Sequence, residues 1–394
     1  MGENMREGFA NEGFDMVMYT PVPTRGITEE VRKEYSKRLF ETELDGHLTV
    51  HRFPLMREGK NPLQRAIRYT LSIMKLYRFG KKEKDADILL IASTPPINGL
   101  MFKGIKKKTG CKVLYNLQDI FPDSLVHTGM TKKGSLIWKI GAKIEQITYK
   151  NADHIVVISE DFKKNIMEKG VPEEKITIIR NWVDENAVVN VERSKNSLFD
   201  EYNLDRSKFY ICYSGNIGYT QNMDMLLDIA KELREKSEIG FILVGEGAAK
   251  AHVEERIKAE CINNIVMLPF QSYEKISEVF SLGDCGLIIS KSGVGNNSVP
   301  SKTWSIMSAK RPVLASFDKG YELDRVITES DCGVCVQAGD KEVLKDAILQ
   351  LYSNRDNLKQ QGENGRKYIM ENLTREIGTK QWVEVMKKAA DNSL

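Results

Sequence analysis

Short runs of isoleucine, valine and leucine recur along the chain, separated by stretches whose apolar residues fall at helical spacing. In the first half the runs are Asp15–Tyr19, His47–Phe53, Asp87–Ala92, Cys111–Leu117, His154–Ser159 and Lys175–Arg180. In the second half they are Phe209–Tyr213, Gly240–Val244, Ile265–Leu268, Cys285–Ile289, Pro312–Ala315 and Gly333–Val336. Strand-like and helical patterns alternating in this way predict parallel α/β layers. The runs are continuous rather than alternating, which predicts strands covered on both faces. A polar stretch from Asp184 to Arg206 divides the two series and reads as the linker. The expected architecture is α/β, with two Rossmann-like, doubly wound domains facing a cleft. Residues 1–190 form the first domain, 191–373 the second, and a last helix within 374–394 is expected to pack back towards the first. A chain of 394 residues has room for two such cores.

Composition changes this picture little. No apolar run approaches the roughly 20 residues that cross a bilayer, and the opening residues lack the basic-then-apolar order of a signal peptide. The cytoplasm is the expected compartment. The six cysteines are scattered; only Cys332 and Cys335 are spaced CxxC, inside an apolar stretch, and no second ligand pair is spaced to complete a zinc site. No metal or other cofactor is expected. Charge says more. The net charge is +3, yet residues 52–150 hold 20 Lys and Arg against 7 Asp and Glu. Such a surface suits phosphate groups or anionic lipid heads, and its sign alone does not exclude nucleic acid. Within it, Leu63–Arg78 reads as an amphipathic helix, with Leu63, Ile67, Leu71 and Met74 on one face and Arg65, Arg68 and Lys75 on the other. Either the apolar face packs on the sheet and the charged one is solvated, or the helix lies on an anionic membrane surface.

The candidate chemistry sits in the second half. One strand run leads into Ser214-Gly215-Asn216-Ile217-Gly218 and then a helix; glycines let backbone amides approach a phosphate, and a helix N-terminus favours its charge. Another leads into Gly245-Glu246-Gly247. The third segment is Asn297-Ser298-Val299-Pro300-Ser301-Lys302-Thr303-Trp304, where Pro300 sets a turn, Ser301 is expected to cap a helix and Lys302 falls in its first turn. A cation is disfavoured there, so Lys302 calls for a bound anion such as a diphosphate; a solvated surface lysine is the bland alternative. All three segments follow strands, and in open α/β sheets the ligand crevice lies beyond the carboxyl ends of the strands.

Taken in order, Gln118-Asp119-Ile120-Phe121-Pro122-Asp123-Ser124, Arg180-Asn181-Trp182-Val183-Asp184, Tyr213–Gly218, Val244–Gly247, Val299–Thr303 and Arg311–Ser316 resemble glycosyltransferase family 4. Within it they are similar to the branch of O-antigen, colanic-acid and capsule transferases that includes N-acetylfucosamine transferases. The resemblance covers nearly the whole chain. It implies a retaining, metal-independent enzyme of the GT-B fold that moves a sugar from a nucleoside diphosphate to a lipid-linked saccharide at the inner face of the cell membrane, with no nucleic-acid partner. A UDP-linked N-acetylated hexosamine or deoxyhexosamine is the favoured donor and a GDP-sugar the rival.

The resemblance also implies roles. Gly215, Asn216 and Gly218 would meet the diphosphate, Ser301 and Lys302 would neutralise it as it leaves, and Gly245 and Glu246 would lie by the nucleoside or sugar. Two glutamates eight positions apart grip sugar and ribose in many members; Asn297 and Ser305 stand in their places here. The Arg and Lys that often follow the glycine-rich turn are replaced by Tyr219, Thr220, Gln221 and Asn222, which leaves more weight on Lys302. In the first domain Asp119 either orients the acceptor hydroxyl and takes its proton or caps the turn before Pro122. Arg65, Arg68 and Lys75 are the candidate contacts to membrane or acceptor lipid. Two alternatives stay open: a homologue that binds donor without transfer, and a non-hydrolysing nucleotide-sugar epimerase, whose His and carboxylate motifs find no match here.

Family members open with a strand and a glycine loop ahead of a helix. Asn4–Gly13 already reads as the end of that helix. The first strand of the first domain is therefore expected to be missing, with Met1 an internal methionine of a longer natural chain or the start of a truncated copy. That strand is central in a doubly wound sheet, so its neighbours would lack backbone partners.

Overall fold

The computed structural model describes residues 2–391 apart from 25, 26, 58, 60 and 128; Met1 lies outside the described residues. All twelve apolar runs form strands, and one strand that the pattern did not announce joins them. In the first half β1 (Met16–Pro21) pairs in parallel with β3 (Leu48–Phe53), and β3 pairs antiparallel with the unannounced β2 (Phe40–Glu43). That strand is short, polar and partly exposed, so its sequence carries no apolar run. A second parallel sheet follows: β4 (Ile88–Ala92), β5 (Lys112–Leu117), β6 (His154–Val157) and β7 (Ile176–Ile178), paired in chain order.

The strands of the first half therefore fall into two sheets. Among the described residues β1 and β4 each end a sheet, and neither is buried on both faces as continuous apolar runs imply. A helix, Gly2–Asn11, precedes β1; its Met5 and Phe9 share one apolar cluster with Met16, Ile88 and Leu90.

The second half matches its expectation. β8 (Phe209–Ser214), β9 (Ile239–Val244), β10 (Ile265–Leu268), β11 (Cys285–Ile289), β12 (Val313–Phe317) and β13 (Gly333–Gln337) make one parallel sheet in the order β10-β9-β8-β11-β12-β13. The order reverses between β8 and β11, which is where such sheets open a crevice. These two strands pair only through Ile211–Cys285 and Cys212–Gly286, so they part before their carboxyl ends. The cysteines of the CxxC are buried and unbonded, Cys335 within β13 and Cys332 just ahead of it.

The stretch 184–206 is no loose linker. The amides of Val189 and Val191 donate to Ser277 Oγ (3.0 Å) and Ser281 Oγ (2.9 Å), docking it on the second half. The last helix, Arg375–Ala390, is capped by Thr374 and returns to the first half. It packs on Gly2–Asn11 through an Arg375–Glu7 ion pair, a Lys387–Glu12 pair at 2.7 Å and a shared cluster with Trp382, Val383 and Met386. No helix among the described residues is long and apolar enough to cross a membrane.

Candidate active site

The three segments singled out in the second half meet at the switch point. Gly215, at the end of β8, and Gly245, at the end of β9, hold φ of +142° and +153°, which side chains other than glycine rarely adopt. A Cβ on Gly245 would run into the Gly215 carbonyl oxygen, and one on Gly215 would lie 2.8 Å from Lys302 Nζ. The Lys302 ammonium sits 4.0 Å from the centroid of the Tyr213 ring, a cation–π contact. Burial pulls its pKa down to about 8, and among the described residues no acid offsets that loss of water. Val299, just ahead, packs against apolar clusters of both halves, so the segment carrying Lys302 lies at their junction.

The surroundings correct several expectations. The Gly215 amide donates to Val244 O (2.9 Å), that of Ile217 to Glu246 O (2.8 Å) and that of Gly218 to Gln221 Oε1 (3.1 Å). The glycine turn therefore does not offer these amides as a ready phosphate cradle: the first two hold the strand ends together, and only the Gln221 side chain can swing away. The Asn216 carbonyl accepts from the Tyr213 hydroxyl at 2.6 Å. Ser301 does not cap. Its backbone is already helical (φ −59°, ψ −23°) because the Pro300 carbonyl accepts from Thr303 N and closes a turn one residue earlier, leaving the Ser301 side chain exposed. Ser305 is half-buried on the helix Lys302–Ser308, Asn297 is buried, and Glu246 is exposed, paired with Lys250 at 2.6 Å.

Sequence reasoning missed the residue that shapes the Asn297 loop. The buried Asp318 carboxylate, just past β12, accepts from Ser292 Oγ (3.0 Å) and from the amides of Gly293 (2.8 Å) and Gly295 (2.9 Å). The turn Gly295–Asn297 in turn packs on the first-half helix Glu160–Glu168.

Across the junction the carboxyl ends of β4, β5 and β7 carry a polar relay. Ser93 Oγ accepts from the Gln118 amide (3.0 Å), Gln118 Nε2 donates to Asn116 Oδ1 (2.7 Å), and Asn181 Nδ2 donates to Gln118 Oε1 (2.8 Å). Gln118 and Asn181 open or sit inside motifs that resemble the family's, a signal read there only as resemblance. Asp119 accepts from Ser124 and lines a small cavity with Tyr115, Glu145 and Tyr149, where burial holds its carboxyl above the usual range. His154 is buried in β6 with Nε2 2.7 Å from Thr177 Oγ1, a structural position.

The halves are tied together beside the site. Arg180 pairs with the buried Glu322, Arg325 Nη2 lies 2.9 Å from Asp161, and Asp161 accepts the Glu322 amide at 2.7 Å.

The helix Pro62–Gly80 forms where expected but faces the other way from the bland reading. Arg68 donates to Met56 O (2.9 Å) and Thr24 Oγ1 (2.9 Å), Lys75 to Pro54 O (2.7 Å), and Arg65 is half-buried. Leu63, Ile67, Leu71 and Met74 are the exposed residues. The loop 54–57 needs its carbonyls satisfied, and these long cations reach them.

This geometry defines a two-domain α/β protein that brings a buried cation and two glycine turns together at the switch point of its second half. Comparison with known proteins gives the family. Residues 3–187 match Glycosyltransferase Family 4 and residues 194–368 match Glycosyl transferases group 1, so the chain belongs to the glycosyltransferases of this type. It is 27% identical over 250 residues to WcaI of Escherichia coli K12, a protein named as a glycosyl transferase of colanic acid biosynthesis; the match spans 62% of this chain and 61% of that protein. In fold it is similar to sucrose-phosphate synthase of Thermosynechococcus elongatus, with TM-score 0.78 at 13% identity over 98% of this chain and 92% of the other. Anabaena HepE, solved in complex with UDP, gives 0.70 at 13% identity over 94% and 99%. The fold is GT-B.

Proposed function

We propose that this protein transfers a sugar from a nucleoside diphosphate to a lipid-linked saccharide during synthesis of a bacterial surface polysaccharide. One observation carries the reading: the Lys302 ammonium, short of water and unmatched by an acid, stands against Gly215, which is itself packed on Gly245, at the switch point. A pyrophosphate there gives the cation its partner, and a fixed cation aimed at a leaving group is worth more in a half-buried crevice than in water. Ser301, exposed beside it, adds a hydroxyl donor, and Asn216 and the Gly218 amide join once Gln221 swings aside.

Transfer proceeds with retention. The acceptor hydroxyl attacks the anomeric carbon on the face from which the diphosphate departs; the bond from that carbon to the phosphate oxygen breaks as the new glycosidic bond forms. On that face the leaving phosphate oxygen is the nearest base and takes the hydroxyl proton. No metal is needed, since Lys302 carries the charge. UDP is the favoured nucleotide, supported by the UDP complex of HepE. The buried Asn297 amide suits an N-acetylated hexosamine or deoxyhexosamine, with a GDP-sugar the rival. The acceptor places the protein at the inner face of the membrane, from the cytoplasm. A panel of nucleotide sugars tested for thermal stabilisation checks the donor: at 100 times its dissociation constant a ligand adds about 2.7 kcal/mol. No shift with any UDP- or GDP-sugar would sink the proposal.

A binding homologue without turnover is the second reading, favoured by the divided sheet of the acceptor half. Labelled donor with lipid-linked acceptor separates the two: bound donor without product selects the second.

A further inference from the structure

We propose that Asp318 is a positioning residue that holds the loop 290–297 in the one shape that recognises the sugar of the donor. The inference rests on the transferase reading and deepens it, by naming what gives the sugar site its form. The loop leaves the carboxyl end of β11, beside the place where β8 and β11 part. Its start is fixed to the glycine turn, since the Lys291 amide donates to Thr220 O at 2.8 Å. Its far end runs through Pro300 into the helix that begins at Lys302. A sugar carried by a diphosphate between the glycine turn and that lysine would lie against it.

A loop reading Ser-Lys-Ser-Gly-Val-Gly-Asn-Asn has little local reason to keep one conformation, because glycine loses more freedom on ordering than any other residue. Asp318 supplies the reason from outside. Its carboxylate, 6% exposed, takes the Ser292 hydroxyl at 3.0 Å and the amides of Gly293 and Gly295 at 2.8 and 2.9 Å, and Gln337 Nε2 stands 3.4 Å away. Hydrogen bonds to an ionised acceptor are the strong ones, and here they converge on one side chain. The glycines permit the approach: Gly293 has φ +94°, and a Cβ on Gly295 would lie 2.9 Å from Asp318 Cβ and 2.5 Å from the Tyr321 ring. On its other side the turn Gly295–Asn297 meets the first-half helix Glu160–Glu168.

The polar groups left over point to a ligand. Among the described residues the Ser290 hydroxyl and the Asn296 side-chain oxygen have no hydrogen-bond partner, although neither atom reaches solvent; Ser290 as a whole is 7% exposed. Buried polar atoms are rarely left unmatched, and two within one short loop call for a polar group from outside the chain. Sugar hydroxyls both donate and accept, so a hexose suits a hydroxyl and an amide oxygen together.

Titration calorimetry on the full chain separates nucleotide from sugar. UDP is compared with UDP-glucose, UDP-galactose, UDP-N-acetylglucosamine and UDP-N-acetylgalactosamine, or GDP with GDP-mannose and GDP-fucose if the wild type takes guanine. The wild type should spread the sugars over about tenfold or more in Kd. Asp318→Ala should narrow the spread to about threefold and change the Kd of the bare nucleotide by less than about threefold, since Lys302 and the glycine turns are untouched. Asp318→Asn should keep most of the spread: its oxygen still accepts from both glycine amides, and its NH2 donates to the Ser292 hydroxyl, which turns to accept. Ser292→Ala removes one anchor at an exposed residue and should narrow the spread partway; it decides the matter if Asp318→Ala does not fold. A wild type that binds nucleotide without telling the sugars apart overturns the proposal. So does a spread that survives the alanine variants, or one lost together with nucleotide affinity in a folded Asp318→Ala, which makes the residue a plain support of the fold. No nucleotide binding by the wild type sinks the transferase reading and this inference with it.

Discussion

Replacing Lys302 with methionine should stabilise the empty protein and disable it. The lysine is half-buried with its ammonium over Tyr213, and burial brings its pKa from 10.5 to about 8. Each pKa unit is worth about 1.36 kcal/mol, so keeping the charge in place costs the folded state at most roughly 3 kcal/mol. Remaining solvent contact trims this, and about 1–3 kcal/mol is the expected gain on removal. The sign follows from proton binding. Between pH 8 and 10.5 the unfolded chain holds the lysine proton more firmly than the fold does, so the penalty is complete below about 8, fades as pH rises and is gone above 10.5. Methionine keeps the length of the side chain and a soft contact with the ring. Thermal melts of wild type and Lys302→Met at pH 7 and pH 10, without ligand, read the effect directly; about 2–4 °C per kcal/mol is expected for a domain of this size. The variant should melt higher at pH 7, and the gap should shrink at pH 10. Adding UDP should raise the wild type and leave the variant nearly unmoved, and transfer should fall by orders of magnitude. A variant that melts lower at pH 7, or that UDP stabilises as much as the wild type, refutes the reasoning.

Three further outcomes are expected. Gly245→Ala drives a methyl group into the Gly215 carbonyl at a positive φ, and urea denaturation should show a loss of about 2–4 kcal/mol together with loss of UDP stabilisation. Glu322→Gln leaves Arg180 and Arg325 without their shared acid; because both arginines are partly solvated the cost should be only roughly 1–2 kcal/mol, but X-ray scattering should show a wider particle as the tie between the halves loosens. Burial holds His154 neutral down to about pH 4 against an ordinary 6.5, so the unfolded chain takes up this proton first and stability falls as pH drops through that window, by up to roughly 3 kcal/mol. The stability lost between pH 7 and pH 4.5 should therefore be smaller in His154→Gln.

Periodicity was a good guide wherever burial is local. The six strands of the second half each lie between layers of helices, and continuous apolar runs are what such burial requires. The glycines at 215 and 245 were legible for a related reason: a backbone turning at a strand end beside another strand excludes a side chain, and this leaves a mark in the residue type itself. Hydrogen-bond partners leave no such mark. Nothing in Asp119-Ile120-Phe121-Pro122-Asp123-Ser124 says whether the first carboxylate meets Ser124 or an acceptor, and Gln221 and Gly218 come together only once the turn has formed. The helix Pro62–Gly80 shows the same limit, since its period separates an apolar face from a basic one without saying which of them meets the loop 54–57.

Two α/β halves, a closing helix and a glycine-lined strand end with a lysine near it are determined by the sequence alone, because each depends on burial or backbone shape within a few residues. The division of the first half into two sheets, the tie from Arg180 and Asp161 to Glu322 and Arg325, and the loss of water around Lys302 were decided only by the tertiary structure. Each depends on groups far apart in the chain, and the energy of a charge or an unpaired strand is set by what long-range packing puts beside it.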